Sequence, residues 1–163
     1  GLKLVNIRFK DSRQADGEEN EYKEIDNKSV QNLAFLGDIL KSRNHVRAAI
    51  IEYKKALKES SAVSPILHNK LAGTYLLTKE YDQAEPLLKE SLKHYPTFHT
   101  TLANLGELYY ATEKYKQAGE YFESAIRINP FNPFVHQRLI SIDQKLGNKK
   151  AAETQGRLYK FLE

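Results

Sequence analysis

The sequence contains no cysteine, methionine or tryptophan. The absence of cysteine excludes disulfide bonds, cysteine zinc sites and thiol catalysis, but it leaves the compartment open. No apolar run approaches the ~18–20 residues that a membrane-spanning helix needs, so no membrane insertion is predicted. The N-terminus has no signal-peptide pattern. Because methionine is missing even at position 1, a processed product or a piece of a longer chain is favoured.

An excess of charge of one sign is nearly absent as well. The formal net charge is +4, and 28% of the 163 residues are charged. The densest basic stretches are Lys41–Arg47 and Lys145–Lys150. No interleaved aromatic residues or known motif accompany them, so they predict a solvated surface and no nucleic-acid binding.

Residues 99–132 show the pattern around which the chain is organised. Two short amphipathic segments are joined by a polar turn at Thr112–Lys114, and Pro130 closes the unit because proline does not continue a helix. Each segment places four apolar or small residues on one helical face, which are Leu102, Leu105, Gly106 and Tyr109 in the first and Tyr115, Ala118, Phe122 and Ala125 in the second. The pattern predicts a helical hairpin whose helices cross closely at Gly106 and Ala118.

The same positions recur along the chain at a period of about 34 residues. A leucine column, a mostly small column and an alanine column run through it: Leu36, Leu71, Leu105 and Leu139; Gly37, Ala72, Gly106 and Ile140; Ala49, Ala84, Ala118 and Ala152. In the second helix, a large column is followed by a small one: Tyr53, Leu88, Phe122 and Gly156; Ala56, Ser91, Ala125 and Tyr159. A hairpin that cannot bury its apolar surface alone must stack on copies of itself.

These columns resemble the tetratricopeptide repeat, which has Leu-Gly, Tyr, Ala, Phe or Tyr, Ala and Pro at fixed offsets in about 34 residues. The resemblance implies an all-α fold, a right-handed superhelical solenoid of antiparallel helix pairs. The expected array covers residues 30–163, with repeats at about 30–63, 65–98 and 99–132 and a divergent fourth at 133–163. The fourth departs from the pattern at Ile140, Asp143, Gly156 and Tyr159.

Residues 1–29 form a separate N-terminal extension in this interpretation. Residues 2–9 alternate imperfectly and are rich in β-branched and apolar residues, which favours a short strand. Residues 11–28 are charged and almost without apolar anchors, which is typical of a linker. A lone strand is unstable, so we expect it to belong to a preceding domain or to pair with a second chain.

No combination of residues predicts an enzyme, a metal site or a cofactor. His68 and His136 occupy the packing column of Leu33 and Leu102, so both are expected to be buried structural residues. The sequence has no phosphate-binding glycine loop, nucleophile elbow or metal-ligand spacing.

The surface of interest is a stripe on the first helix of each repeat, formed by residues that do not take part in packing the hairpin. It comprises repeat positions 2, 5, 6, 9, 12 and 13, which the family resemblance places on the concave wall. Six of its residues are our candidates for partner contacts: Asn69, Lys70, Asn104, Glu107, Tyr110 and Arg138. Amides bond a peptide backbone, arginine takes a carboxylate bidentately, and aromatic rings give apolar contact.

A non-catalytic scaffold that binds a partner peptide or protein in this groove is therefore predicted. Some family members hold a C-terminal carboxylate there, and of the five aligned positions only Asn104 and Arg138 match, whereas Asn69, Gly73 and Phe134 do not. Two alternatives were open from the sequence. One is a C-terminal accessory or recruitment module of a larger enzyme or envelope protein, and the other is self-assembly through the N-terminal arm or the C-terminal helix.

Overall fold

The computed structural model describes residues 30–60 and 62–161, and it confirms the all-α prediction for this part of the chain. Its helices are α1 Val30–Ser42, α2 Val46–Glu59, α3 Pro65–Leu77, α4 Tyr81–His94, α5 His99–Ala111, α6 Tyr115–Ile128, α7 Pro133–Lys145 and α8 Lys149–Lys160. None of these eight helices is long and apolar enough to cross a membrane. The predicted strand at residues 2–9 and linker at residues 11–28 lie outside the described residues.

Every described helix packs against the next one in the chain, and α3 also packs directly against α5. The helices therefore form a row of four antiparallel pairs, α1–α2, α3–α4, α5–α6 and α7–α8. The odd-numbered helices are the first helices of the repeats and line one wall. A single large core cluster extends along the row, from Ala49 in the first pair to Ile142 in the fourth.

The repeat columns form this core, as predicted from their spacing. The leucine and alanine columns are buried in all four pairs: Leu36, Leu71, Leu105 and Leu139; Ala49, Ala84, Ala118 and Ala152. In the fourth pair the departing residues Ile140, Gly156 and Tyr159 are only partly buried. The pair nevertheless forms, because Leu139 and Ala152 still bring α7 and α8 together.

Size complementarity between the two helices of a pair explains the small column. A Cβ added at Gly37 would lie 2.5–2.9 Å from atoms of the Tyr53 ring, and one at Gly106 would lie 2.7–2.8 Å from the Phe122 ring. Both distances are shorter than any normal carbon contact, so glycine is required opposite these aromatic rings. The second repeat has Ala72 in the same column and a smaller residue, Leu88, in the facing one.

The turn inside each pair has the same backbone conformation. Asn44, Lys79, Glu113 and Gly147 recur at this place with φ values of +64°, +60°, +61° and +78°. The following residue donates its N–H to a carbonyl five residues back, for example from Lys114 to Tyr109 at 2.8 Å. This is a Schellman ending, in which an αL residue satisfies the last carbonyls of the helix. Only one of the four residues is glycine, for which a positive φ has no Cβ penalty.

Glu113→Gly is therefore expected to raise the free energy of unfolding by about 0.5–1 kcal/mol, because it removes αL strain from a β-carbon. Chemical denaturation would measure the change. The matched control is Glu120→Gly in the middle of α6, where glycine should instead lower stability by about 1 kcal/mol. A loss of stability at both positions would mean that the turn at residue 113 does not adopt a positive φ.

Two large apolar side chains at the C-terminal end of the described array are exposed to solvent. Leu158 is 48% exposed and Phe161 is 87% exposed. The inward side of α8 is polar as well as small, since Gln155 Oε1 lies 3.0 Å from His136 Nδ1 as an acceptor and the Tyr159 hydroxyl accepts a hydrogen bond from Gln137. Leu158 therefore lies on the side of α8 that does not face α7, and Phe161 follows the end of the helix.

Candidate functional site

The concave face is defined here by repeat positions 2, 5, 6, 9, 12 and 13 of the first helices α1, α3, α5 and α7. On this face, the residue at position 9 of one repeat lies beside the residue at position 6 of the next. Three such inter-repeat pairs result, which are Asp38–Lys70, Gly73–Asn104 and Glu107–Arg138. The outer two are ion pairs and the middle one is not.

The first pair ties three helices together at one carboxylate. Lys70 Nζ donates to both oxygens of Asp38, at 2.6 and 2.5 Å. The Tyr53 hydroxyl of α2 donates to Asp38 Oδ1 at 2.7 Å. Burial, together with this hydrogen bond to a carboxylate, raises the pKa of Tyr53 above its ordinary value. Asp38 is thus fixed by α2 and α3 and is not free to attract a cationic ligand.

The third pair repeats the arrangement with better geometry. Arg138 donates from Nε to Glu107 Oε1 at 2.5 Å and from Nη2 to Oε2 at 2.9 Å, a bidentate contact. Its guanidinium carbon also lies 4.8 Å from the centre of the Tyr110 ring and 5.1 Å from that of Phe134. The hydrogen bonds to Glu107 raise the pKa of Arg138. Since Tyr110 in turn bonds Ser141 at 2.7 Å, the whole cluster is preorganised.

The middle pair leaves an opening between these two ion pairs. Gly73 has no side chain, and a Cβ built there would be 3.9 Å from Asn104 Nδ2, at ordinary contact distance. Asn104 Nδ2 donates to Asn69 Oδ1 at 2.9 Å. Asn104 Oδ1 accepts no hydrogen bond from any residue in 30–60 or 62–161, and no buried polar side-chain atom of those residues is unpaired. The Asn104 side-chain oxygen is therefore a free acceptor that solvent reaches in the described part of the chain.

Asn69 lies behind this opening rather than on the surface. It is 6% exposed, and its Nδ2 donates to the Pro65 carbonyl and to Thr101 Oγ1, both at 2.7 Å. The hydroxyls of Thr101 and Ser91 are 2.9 Å apart and complete the buried network. Because its oxygen bonds Asn104, Asn69 sets the orientation of the Asn104 amide.

The six residues selected from the sequence thus fall into three groups. Asn69 and Asn104 form one hydrogen-bonded pair, Glu107, Tyr110 and Arg138 form one cluster, and Lys70 is bonded to Asp38. Two residues that carry this arrangement were not among the six, namely Asp38 and Gly73. Comparing position 9 of each repeat with position 6 of the next in the sequence would have indicated both.

His68 and His136 are buried, as their packing column predicted. His68 is 4% exposed and its Nδ1 lies 2.7 Å from the Ser64 carbonyl oxygen. His136 is also buried, and its Nε2 lies 2.8 Å from the Pro130 carbonyl oxygen. In the described part of the chain, no three histidine or acidic residues are grouped so that they would hold a metal ion.

Comparison of the sequence with known families supports the repeat assignment. Residues 62–130, the second and third repeats, match the model of the tetratricopeptide repeat. The type IV pilus assembly protein PilF of Pseudomonas aeruginosa is 32% identical over 114 residues, which are 69% of this chain and 45% of PilF. The matched chain therefore spans less than half the length of that relative.

Solved structures resemble the whole helical array. A Pseudomonas aeruginosa PilF structure has a TM-score of 0.78 at 27% identity and covers 92% of this chain and 68% of its own. MamA from Desulfovibrio magneticus RS-1 has a TM-score of 0.77 at 20% identity, covering 92% and 87%. The first tetratricopeptide domain of Spaghetti (RPAP3), bound to the HSP90 peptide SRMEEVD, has a TM-score of 0.69 at 20% identity, covering 76% and 97%.

The likenesses at 20% identity establish the fold alone. The buried repeat columns, the matched family model and the identity to PilF all agree with this fold. The chain contains repeats of the tetratricopeptide family, whose model residues 62–130 match.

Proposed function

We propose that the chain is a non-catalytic scaffold whose concave face binds a segment of a partner protein. One observation carries the proposal, the opening at the middle inter-repeat pair. There, Gly73 leaves space above the wall and Asn104 presents its side-chain oxygen, an acceptor that solvent reaches. A backbone N–H of a bound segment would complete that hydrogen bond.

The flanking ion pairs support this role because they hold the wall in place before a ligand arrives. Asp38–Lys70 and Glu107–Arg138 each fix two neighbouring first helices at hydrogen-bond distance. A surface that is already ordered loses less conformational freedom on binding, which favours affinity. Neighbouring apolar side chains add contact area, since Phe134 is 40% exposed beside Arg138.

The same geometry argues against a clamp for a free C-terminal carboxylate. Of the five aligned positions, Asn69 is buried, Gly73 has no side chain and Phe134 is aromatic. Arg138 is already engaged bidentately with Glu107. An internal segment, bound through its backbone and side chains, fits the face better than a chain terminus.

The comparisons are in keeping with a scaffold. Tetratricopeptide repeat proteins are generally non-catalytic interaction scaffolds. The RPAP3 domain contains a bound peptide, so the shared fold accommodates one. PilF is named for the assembly of type IV pili, and a part in a protein assembly is therefore our proposal for this chain.

Gly73→Gln is expected to weaken partner binding at least about tenfold, because its side chain would occupy the opening and bond the Asn104 amide. A Cβ fits at this position without a clash, so the fold should persist. Partners captured from extract on the immobilised full chain would be identified by mass spectrometry, purified, and measured by isothermal titration against each variant.

Gly156→Gln is the matched control, since it is the same change in a helix where a Cβ meets no atom within 4 Å. Loss of affinity with the Gly73 variant alone would support binding on the concave face. Equal affinity of both variants for every captured partner would contradict it and would move the binding site elsewhere on the chain.

A further inference from the structure

Lys41 differs from the other cations of the concave face. Lys70 and Arg138 form ion pairs, and Lys145 Nζ lies 5.2 Å from the centre of the Tyr115 ring. In residues 30–60 and 62–161, no carboxylate oxygen comes within the 4.0 Å of an ion pair with Lys41. Burial lowers the pKa of Lys41, Asp38 partly offsets this, and the neighbouring Lys70 lowers the pKa further. Lys41 is thus a partly buried cation that has no ion-pair partner among these residues.

Two large apolar side chains lie on α1 and α3, the helices that carry Lys41 and Lys70. Both are closer to the N-terminus of their helix than these lysines are. Phe35 of α1 is 63% exposed and Ile66 of α3 is 56% exposed. Phe35 is at position 6, where the other three repeats have Lys70, Asn104 and Arg138. The first repeat thus replaces a polar contact residue with an aromatic one that no described neighbour covers.

We infer that the α1–α3 end of the concave face binds a partner segment that carries an acidic side chain for Lys41 and an apolar one for Phe35 and Ile66. The inference rests on the proposed function and names the chemistry of its ligand. Charge complementarity decides the sign, because Asp38 is the one carboxylate that Lys41 and Lys70 face among residues 30–60 and 62–161. A ligand carboxylate would balance the second ammonium, whereas a basic side chain would meet two like charges.

The spacing of the two ligand side chains follows from the helix. Phe35 and Lys41 are six residues apart on α1, which is about 9 Å at 1.5 Å per residue. A segment in the polyproline II conformation advances about 3.1 Å per residue with three residues per turn, so side chains three residues apart lie on the same side and about 9 Å apart. The flexible four-carbon stem of Lys41 tolerates small differences in this distance.

The probe is a peptide that tests only these two side chains. It is Ac-Ser-Gly-Leu-Ser-Gly-Glu-Gly-Ser-NH₂, whose blocked ends remove any terminal carboxylate. A second peptide has glutamine in place of glutamate. Both would be titrated into the full-length ¹⁵N-labelled chain, and dissociation constants would be obtained from amide chemical-shift changes.

Lys41→Gln and Phe35→Ser should each weaken binding of the glutamate peptide about tenfold. Lys116→Gln, an exposed lysine on α6, is the matched control and should change affinity less than about twofold. The glutamine peptide should bind the wild type about as weakly as the glutamate peptide binds Lys41→Gln. Absence of binding by the wild type, or a change below twofold for either test variant, would overturn the inference.

Failure here is distinguishable from failure of the proposed function. A captured partner whose affinity falls with Gly73→Gln but not with Lys41→Gln would keep the concave face as the binding site and overturn the acidic subsite. The chain's own residues 11–28 are a competing occupant, since they contain seven acidic and three basic residues. A synthetic peptide of residues 11–28 that binds more tightly than the probe, and depends equally on Lys41, would overturn the assignment to a partner.

Discussion

Gly106→Leu is expected to lower the free energy of unfolding by about 3 kcal/mol or more. A Cβ at this position would already lie 2.7–2.8 Å from three atoms of the Phe122 ring. Phe122 is completely buried, so its ring has no open space into which to move. The remaining leucine carbons would have to separate α5 from α6, which would disrupt the core of the third repeat.

The measurement is chemical denaturation followed by circular dichroism. Gly156→Leu is the control, because a Cβ there meets nothing within 4 Å. An unchanged transition midpoint for Gly106→Leu would mean that the helices of the third repeat cross at another register.

The second repeat suggests a compensating pair of changes. It has Ala72 and Leu88 where the third has Gly106 and Phe122. Gly106→Ala and Phe122→Leu should each destabilise, one by crowding and the other by leaving a cavity. The double variant should be more stable than their sum predicts by at least about 1 kcal/mol, since neighbouring core residues couple.

The fold was predictable because its determinants recur. Each packing position appears three or four times, so the residue type at one position can be compared across the repeats. An example is the column of Ala49, Ala84, Ala118 and Ala152. The turn shows the limit of this approach. Asn44, Lys79, Glu113 and Gly147 share a positive φ but no chemical property, so their common conformation was invisible in the sequence.

The concave face was predictable only in outline. Helical spacing identifies which residues avoid the core of their own hairpin, but it does not show what neighbouring repeats place beside them. Asn69 illustrates the difference. Its burial depends on Ser91 of α4 and Thr101 of α5, which come 22 and 32 residues later. Asparagine is mostly exposed in proteins, so the residue type at position 69 did not indicate that this position is buried.

The inter-repeat ion pairs were not predicted from the sequence, for a related reason. Glu107 and Arg138 were both selected as ligand contacts, each judged by its own chemistry. Because Glu107 and Arg138 bond each other, each charge is partly neutralised before a ligand arrives. Our proposals therefore use groups outside these pairs, the Asn104 side-chain oxygen in the middle of the face and Lys41 at one end.

Asn69→Asp is expected to lower the free energy of unfolding by about 3 kcal/mol at neutral pH, although the two side chains have nearly the same shape. The amide nitrogen at this position donates to the Pro65 carbonyl and to Thr101, both at 2.7 Å. A carboxylate would instead place an oxygen against the Pro65 carbonyl oxygen in a site that is 6% exposed. Asn132→Asp is the control, since Asn132 caps α7 by accepting from the Val135 N–H, and aspartate serves equally well there.

The loss at position 69 should depend on pH in a defined direction. Burial beside a carbonyl oxygen raises the pKa of the introduced carboxyl above the ~3.9 of an unfolded aspartate. A group whose pKa is higher in the folded state stabilises fully below the unfolded pKa, and this contribution is lost as pH rises through the folded pKa. The gap to wild type should therefore be smallest below about pH 4 and widen toward neutrality. Denaturation at pH 4 and pH 7 would measure it, and a pH-independent loss under about 1 kcal/mol would mean that residue 69 faces solvent and that Asn104 is not held by it.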